Sequence, residues 1–184
     1  MNFEKKNTLI ILIAGKARSG KGELAHFLEE ELKKNKKAVL SPYTKYLKQY
    51  IYEITGEYRD DDKKPRDLLQ QISKEVIKKR LNNPRFFINR QLEDLSFYQY
   101  FMDVVIIPDV RFQEEIEEIK KKFPNVVSIG IKRKNYVSTL TKEQQEDITE
   151  TSLDNYNQYD YLLENTSLDN LYRDGLKIIK KLKK

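Results

Sequence analysis

Apolar residues occur along this chain in two different patterns, continuous runs and helical spacing. The clearest continuous run is LIILIA at residues 9–14, and six apolar residues in succession are typical of a strand that is buried on both faces. The stretch after it has the spacing of one helix face, with apolar residues at Leu24, Phe27, Leu28 and Leu32. The chain therefore begins with a buried strand that is followed by an amphipathic helix.

The same two patterns alternate over the rest of the sequence. We predict strands at 8–14, 38–40, 103–107, 126–131 and 159–163. We predict helices at 20–34, 43–54, 65–81, 86–100, 113–122 and 168–182, with a short helix starting near Thr149. Residues 132–148 lack a strong apolar period and are predicted to form a mobile loop. Such alternation indicates an α/β fold with a mainly parallel sheet of five strands.

A glycine-rich loop joins the first predicted strand to the first predicted helix. It reads GKARSGKGE, and four residues separate its first two glycines. Strand, glycine loop and helix in this order are the context of a phosphate-binding P-loop, because backbone N–H groups, the helix dipole and a lysine surround the phosphate. The pattern predicts the three-layer P-loop NTPase fold, against the alternative of an ordinary strand–turn–helix. We assign ATP binding to Gly15, Lys16, Ala17, Arg18, Ser19, Gly20, Lys21, Gly22 and Glu23.

One position departs from the usual P-loop pattern. A Ser or Thr normally follows the lysine and offers its hydroxyl to Mg²⁺, but this chain has Gly22 there. Adenylate kinases are similar in having a glycine at this point, and Mg²⁺ keeps several waters and needs few protein ligands. We therefore expect Mg²⁺ to be held by ATP oxygens and by waters, one of which Asp109 would hold.

The composition narrows the functional classes. The 184 residues suffice for one domain with a substantial core, and the absence of cysteine excludes disulfides and thiolate metal sites and fits a cytoplasmic protein. No apolar stretch is long enough to span a membrane. The net charge is +6, but basic and acidic residues alternate as on solvated helix faces, which favours a small anionic ligand over nucleic acid. The sequence leaves open whether the protein forms a homodimer.

Charged residues follow the predicted strands at positions suited to phosphoryl transfer. Asp109 comes after the strand at 103–107, where P-loop proteins place a metal-side acid, and Arg111 lies two residues on. The basic triplet 132–134 begins the predicted mobile loop and would close over phosphates. Because parallel strands end at one edge of a sheet, these groups should converge on one cleft. The catalytic candidates are Lys21, Asp109, Arg111 and Arg133.

Each of these assignments has a plainer alternative that the sequence leaves open. Asp109 would also serve as the N-cap of the helix that follows it. Arg111 would form a surface ion pair with Glu114 or Glu115. The triplet 132–134 would be a solvated run of charge.

Several longer segments resemble those of a known family, the deoxynucleoside monophosphate kinases of bacteriophage and bacterial type, within the P-loop nucleotide kinases. The strongest likeness is VIIPDVRFQEE at 105–115, which is similar to a family strand that ends in Asp-Val-Arg-Phe and is followed by a glutamate. Weaker likenesses occur in the family's order in YTKYLK at 43–48, RDLLQ at 66–70, NPRFF at 83–87, ITE at 148–150 and DYLLEN at 160–165.

The resemblance implies a nucleotide-kinase-like fold with a lid. Within the single domain 1–184, residues 42–100 would be a helical insertion that binds the monophosphate, and residues 132–148 would be the lid. The resemblance also places Arg133 in the lid and Asn165 near the ATP base. It implies an acceptor site lined by Lys48, Arg66, Gln70, Arg111, Thr149 and Glu150.

Three functional hypotheses follow. The first is an enzyme that uses ATP and Mg²⁺ to convert a (deoxy)nucleoside monophosphate into the diphosphate. The second is a kinase for another phosphorylated small molecule, of the phosphomevalonate or dephospho-coenzyme A type. The third is a nucleotide-dependent switch without transfer chemistry, which Gly22 disfavours because a switch would be expected to keep the hydroxyl ligand. Tyr43-Thr44 in place of the family's Phe-Ala, and Thr149 in place of its serine, leave the base preference open.

Overall fold

The computed structural model describes residues 3–56, 66–134 and 140–182 of the chain. Its centre is a sheet of five strands, β1 (Leu9–Gly15), β2 (Ala38–Leu40), β3 (Val104–Val110), β4 (Val126–Arg133) and β5 (Tyr161–Asn165). The strands lie in the order β2-β3-β1-β4-β5, and all neighbours are parallel. The predicted parallel five-stranded sheet is therefore confirmed.

Helices surround this sheet in the described part of the chain. They are α1 (Lys21–Lys33), α2 (Lys45–Thr55), α3 (Arg66–Gln71), α4 (Phe86–Tyr98), α5 (Gln113–Lys122), α6 (Lys142–Glu146), α7 (Ile148–Thr151) and α8 (Leu168–Leu182). A π-helical segment, Ile72–Arg80, continues α3. Among the helices of the described ranges, none has the length and apolar character needed to cross a membrane.

Strand β1 occupies the middle of the sheet because both of its faces are apolar. The odd-numbered residues from Leu9 to Ile13 pack with α1 and α8, and the even-numbered residues from Ile10 to Ala14 pack with α4 and α5. Burying each such leucine or isoleucine contributes about 1.5–3 kcal/mol. The two clusters form the layers on either side of the sheet.

Strand β3 runs further than predicted. We expected it to end at Ile107, but it continues to Val110, because Val110 pairs with Ala14 of β1 beyond an irregularity in the register. Asp109 is therefore a residue of the strand itself and does not lie in a loop after it.

Strand β4 is also longer than predicted. It continues to Arg133, which pairs in register with Asn165 of β5. The prediction that a loop begins at residue 132 is therefore wrong, since Lys132 and Arg133 are strand residues. Residues 57–65 and 135–139, which include Pro65 and part of the expected lid, lie outside the described residues. Closure of the segment 132–148 stays a prediction.

Candidate active site

The loop between β1 and α1 turns sharply at three residues with positive φ, Gly15 (149°), Arg18 (56°) and Gly20 (99°). At Gly20 a Cβ atom would lie 2.5 Å from Nδ2 of Asn165, so glycine satisfies both the backbone conformation and the space. Helix α1 begins directly after this turn, at Lys21. The first N–H groups of the helix, which have no partner within it, and its positive dipole end therefore adjoin the loop.

Lys21 is held by the backbone of the loop. Its Nζ donates hydrogen bonds to the carbonyl oxygens of Gly15 at 2.7 Å and of Lys16 at 2.6 Å. The residue is only 8% exposed, which is unusual for a lysine. The ammonium group is thus fixed among the residues predicted to bind phosphate.

Asn165 supports the same loop from the end of β5. Its side chain is buried, and Nδ2 donates to the carbonyl oxygen of Ser19 at 2.8 Å. The family resemblance placed this residue near the ATP base, and the contact with Ser19 gives it a role in holding the loop. A contact with the base stays a prediction.

Asp109 holds the start of α2. Its Oδ1 accepts a hydrogen bond from the backbone N–H of Tyr43 at 2.9 Å. Its Oδ2 accepts from the backbone N–H of Thr44 at 3.1 Å and from the Thr44 hydroxyl at 2.9 Å. The carboxylate therefore binds the residues that precede α2. The plainer alternative, in which Asp109 caps the helix that follows β3, is wrong.

Arg111 and Glu150 form a half-buried ion pair. Nη1 of Arg111 lies 2.8 Å from Oε1 of Glu150, and the other carboxylate oxygen accepts the backbone N–H of Ala17 at 2.7 Å. Neither Glu114 nor Glu115 pairs with the Arg111 guanidinium. Glu114 pairs with Arg85, and Glu115 accepts the backbone N–H groups of Arg111 and Phe112. The surface ion pair considered from the sequence is therefore not the one that forms.

Arg133 and Lys16 connect the P-loop to its surroundings. Arg133 donates through Nη1 to the carbonyl oxygen of Arg18 at 2.9 Å. Lys16 forms an exposed ion pair of 2.8 Å with Asp154. The lid role that the sequence suggests for Arg133 stays a prediction, and the observed contact already joins the end of β4 to the loop.

A cleft of about 1230 Å³ brings most of the predicted residues together. Those that line it are Ala17, Arg18, Gly20, Lys21, Gly22, Glu23, Lys48, Gln70, Asp109, Arg111, Arg133, Thr149, Glu150 and Asn165. Gly15, Lys16 and Ser19 line a neighbouring cavity of about 520 Å³. The side chain of Arg66 lies outside the described part of the chain.

Three lysines in the wall of the cleft, Lys74, Lys78 and Lys79, were missed by the sequence reasoning. Lys74 and Lys78 lie on the π-helical segment, and both line the cleft together with Gln70. Lys74 pairs with Asp147, and Lys78 lies over the ring of Phe112 at 4.8 Å from its centre. Lys74 and Lys78 follow Gln70 at successive intervals of four residues, which was a usable signal. These lysines add basic groups to this wall of the cleft, in which Lys74 pairs with Asp147 and Lys79 pairs with Glu75.

A buried carboxyl group, that of Glu115, lies in the same wall. Burial raises its pKa from 4.5 to about 7, although the backbone N–H groups of Arg111 and Phe112 donate to its Oε2 at 2.7 and 3.0 Å and oppose the rise. The charge of Asp109 adds to the rise and Lys78 reduces it. Burial together with the charges of Glu115 and Asp109 also raises the pKa of Tyr43.

The raised pKa of Glu115 predicts a pH-dependent stability. The folded protein keeps this proton up to about pH 7, whereas the unfolded chain loses it near pH 4.5. The free energy of unfolding should therefore fall as the pH rises between these values, by on the order of 3 kcal/mol, and stay lowered above pH 7. Glu115→Gln keeps an oxygen acceptor for both N–H groups and should remove that fall.

Urea unfolding of the wild type and of Glu115→Gln at pH 5 and pH 8 measures the difference. Glu117→Gln, on the exposed side of α5, is the matched control and should behave as the wild type. A Glu115→Gln protein whose stability falls between the two pH values as much as that of the wild type would contradict this account.

Comparisons with known proteins identify the fold. No protein-family model matches the sequence, and a search of curated proteins finds no match. Among solved structures, APS kinase from Mycobacterium tuberculosis, in complex with AMPPNP and APS, matches with a TM-score of 0.59 at 10% identity, over 97% of this chain and 99% of its own. Shikimate kinase from Aquifex aeolicus matches with a TM-score of 0.54 at 15% identity, over 94% and 97%. The chain has the P-loop kinase fold.

This likeness concerns the fold alone, because the identities are low. It confirms the predicted three-layer α/β architecture with its parallel sheet. Membership of the deoxynucleoside monophosphate kinases, which the resemblance implies, stays a prediction. The roles assigned to single residues of the site also stay predictions.

Proposed function

We propose that this protein is a phosphotransferase that moves the γ-phosphoryl group of ATP to a phosphorylated small molecule, with a (deoxy)nucleoside monophosphate as the first candidate. One observation carries the proposal. A single cleft extends from the P-loop lysine, Lys21, to the basic wall formed by α2 and the π-helical segment, and Arg111 lines it as well. Such a cleft has room for two anionic ligands at once.

The P-loop side would bind ATP. Lys21 would meet the β- and γ-phosphates, and the N–H groups at the start of α1 would add uncharged donors. Asn165 and the residues after it line the same cleft, where the base and sugar of ATP would lie. The support for this assignment is the loop's geometry, the burial of Lys21 and the fold that the chain shares with APS kinase, which was solved with AMPPNP.

The opposite side would bind the acceptor. Lys48, Gln70, Lys74 and Lys78 line this wall, and a basic wall attracts a phosphate. An acceptor phosphate is already ionised at neutral pH, so its oxygen attacks the γ-phosphorus without a general base. The bond from the γ-phosphorus to the bridging oxygen breaks, ADP leaves, and the acceptor gains the phosphoryl group. The protein's part is then to position the two ligands and to stabilise charge.

The described residues fit a Mg²⁺ ion that enters with ATP. They contain no cluster of three or more acidic, histidine or cysteine side chains that would hold a metal by itself. Gly22 offers no hydroxyl, and a Cβ atom there would meet open space. Oδ1 of Asp109 accepts one hydrogen bond from protein, which leaves it a lone pair for a metal-bound water. When bound, Mg²⁺ would supply charge neutralisation at the phosphates.

The proposal is tested by a steady-state assay with a panel of acceptors. We expect ADP formation from ATP to depend on one class of monophosphate among deoxynucleotides and ribonucleotides, with phosphomevalonate and dephospho-coenzyme A as the competing acceptors. Transfer to one of the competing acceptors would replace the nucleotide by another phosphorylated substrate. ATP binding without transfer to any acceptor would favour the switch and contradict the enzyme.

A further inference from the structure

The carboxylate of Glu150 joins two parts of the candidate site that come from different strands. Oε2 accepts the backbone N–H of Ala17 in the P-loop at 2.7 Å, and Oε1 lies 2.8 Å from Nη1 of Arg111. The side chain of Glu150 is 11% exposed and that of Arg111 is 25% exposed. A charged pair at this depth is screened little by solvent, and its geometry is correspondingly restrained.

Within the described part of the chain, the hydrogen bonds of the Arg111 side chain all run through Nη1. Besides Glu150, this nitrogen approaches the carbonyl oxygens of Gly15 at 3.4 Å and of Thr149 at 3.3 Å. The opposite edge of the guanidinium, formed by Nε and Nη2, keeps the two parallel N–H donors that match a phosphate. Arg111 is thus held through Nη1, and its Nε–Nη2 edge remains available to a phosphate.

We propose that Glu150 is a positioning residue that fixes the Arg111 guanidinium relative to the P-loop, so that the Nε–Nη2 edge meets the acceptor phosphate in line with the γ-phosphate. This proposal rests on the function proposed above. It assigns to Glu150 no contact with either ligand, in contrast to the substrate-binding role that the family resemblance implies.

The surroundings of Glu150 explain why it can hold two groups at once. Helix α7, which carries it, is attached at both ends. Asp147 accepts hydrogen bonds from the N–H and hydroxyl of Thr149 at 3.0 and 2.8 Å and pairs with Lys74. Ser152 donates its hydroxyl to the carbonyl oxygen of Arg111. The short helix therefore ties the basic wall, the end of β3 and the P-loop together.

A carboxylate is required at this position because both partners are donors. A glutamine at 150 has one oxygen acceptor, and its NH₂ group would face either the Ala17 N–H or the Arg111 guanidinium, donor against donor. Glu150→Gln changes neither the size of the side chain nor the length of its reach. It is therefore the sharpest available substitution, with Glu117→Gln on α5 as the matched control.

In steady-state kinetics with ATP and the acceptor found in the panel, we expect Glu150→Gln to lower kcat by about 10- to 100-fold, as misplacement by about 1 Å does. The Kd of ADP, measured by calorimetry, should change much less than kcat, because Glu150 acts on the nucleotide side only through the amide of Ala17. Glu150→Asp keeps the charge with a shorter reach and should recover part of the lost rate. A purely structural role would instead lower thermal stability and weaken ADP binding together.

A second readout does not depend on turnover. The backbone amide of Ala17, observed by NMR, should shift and exchange faster with solvent in Glu150→Ala, which removes its acceptor altogether, and stay unchanged in Glu117→Gln. An unchanged Ala17 amide in Glu150→Ala, or a Glu150→Gln enzyme with the wild-type kcat, would overturn the proposal. A faster enzyme would also overturn it and would show that the carboxylate competes with a phosphate. A wild type that transfers to no acceptor would refute the proposed function, while the amide still decides the position of Glu150.

Discussion

Replacing Lys21 by alanine is expected to lower kcat by about 10²–10³-fold, the usual cost of removing one group that stabilises charge in a transition state. The side chain contacts backbone carbonyl oxygens of the P-loop and belongs to neither of the two apolar clusters, so the variant is expected to fold. Under the proposed function, the lost interaction would be the one between the ammonium group and the phosphoryl oxygens, whose charge is redistributed as the γ-phosphoryl group moves.

Two further variants make this expectation sharp. Lys21→Met keeps the length of the side chain without the charge and should be as slow as the alanine variant. Lys33→Ala removes an exposed lysine at the other end of α1 and should keep the wild-type rate. Circular dichroism and thermal unfolding report whether each variant is folded. A folded Lys21→Ala protein with nearly wild-type turnover would show that the loop does not bind a transferring phosphate.

Arg111→Lys is expected to weaken binding of the acceptor by about 10- to 100-fold, the range set by 1.5–3 kcal/mol for a hydrogen bond to a charged group. Lysine keeps the charge but cannot present two parallel donors to a phosphate while a third nitrogen pairs with Glu150. ATP binding should change much less. The same direction is expected for Arg66→Lys, whose side chain lies outside the described residues.

Calorimetry with the acceptor and, separately, with a non-hydrolysable ATP analogue measures the two affinities. The matched control is Arg85→Lys, because Arg85 pairs with Glu114 and Glu118 on the surface. Equal losses of affinity for the two ligands would contradict the assignment of Arg111 to the acceptor.

The parts of this structure that could be predicted from the sequence are those that local patterns encode. The run at 9–14, the glycine loop and the helix that follows it are contiguous, so periodicity and spacing suffice to place them. The helix at 113–122 and the final helix at 168–182 were predicted with the observed bounds for the same reason.

The partners of the site residues could not be predicted, because they are distant in the sequence. Asp109 holds Thr44, 65 positions away, and Asn165 holds Ser19, 146 positions away. Nothing local distinguishes such a partner from other acids or amides. The burial of Glu115 was missed for a related reason, since it stands among other glutamates in EEIEEI and only its burial in the folded chain singles it out.

The central position of β1 has a consequence for how the chain folds during synthesis. Its neighbours are β3 and β4, and Leu9 pairs with Val104, 95 residues later. At 5–20 residues per second, roughly 5–20 s of translation separate the two strands. During this time the six apolar residues 9–14 have no strand to pair with. We expect the nascent chain to need protection from aggregation around residues 9–14, and the glycine loop to form only after the strands on either side of β1 have left the ribosome.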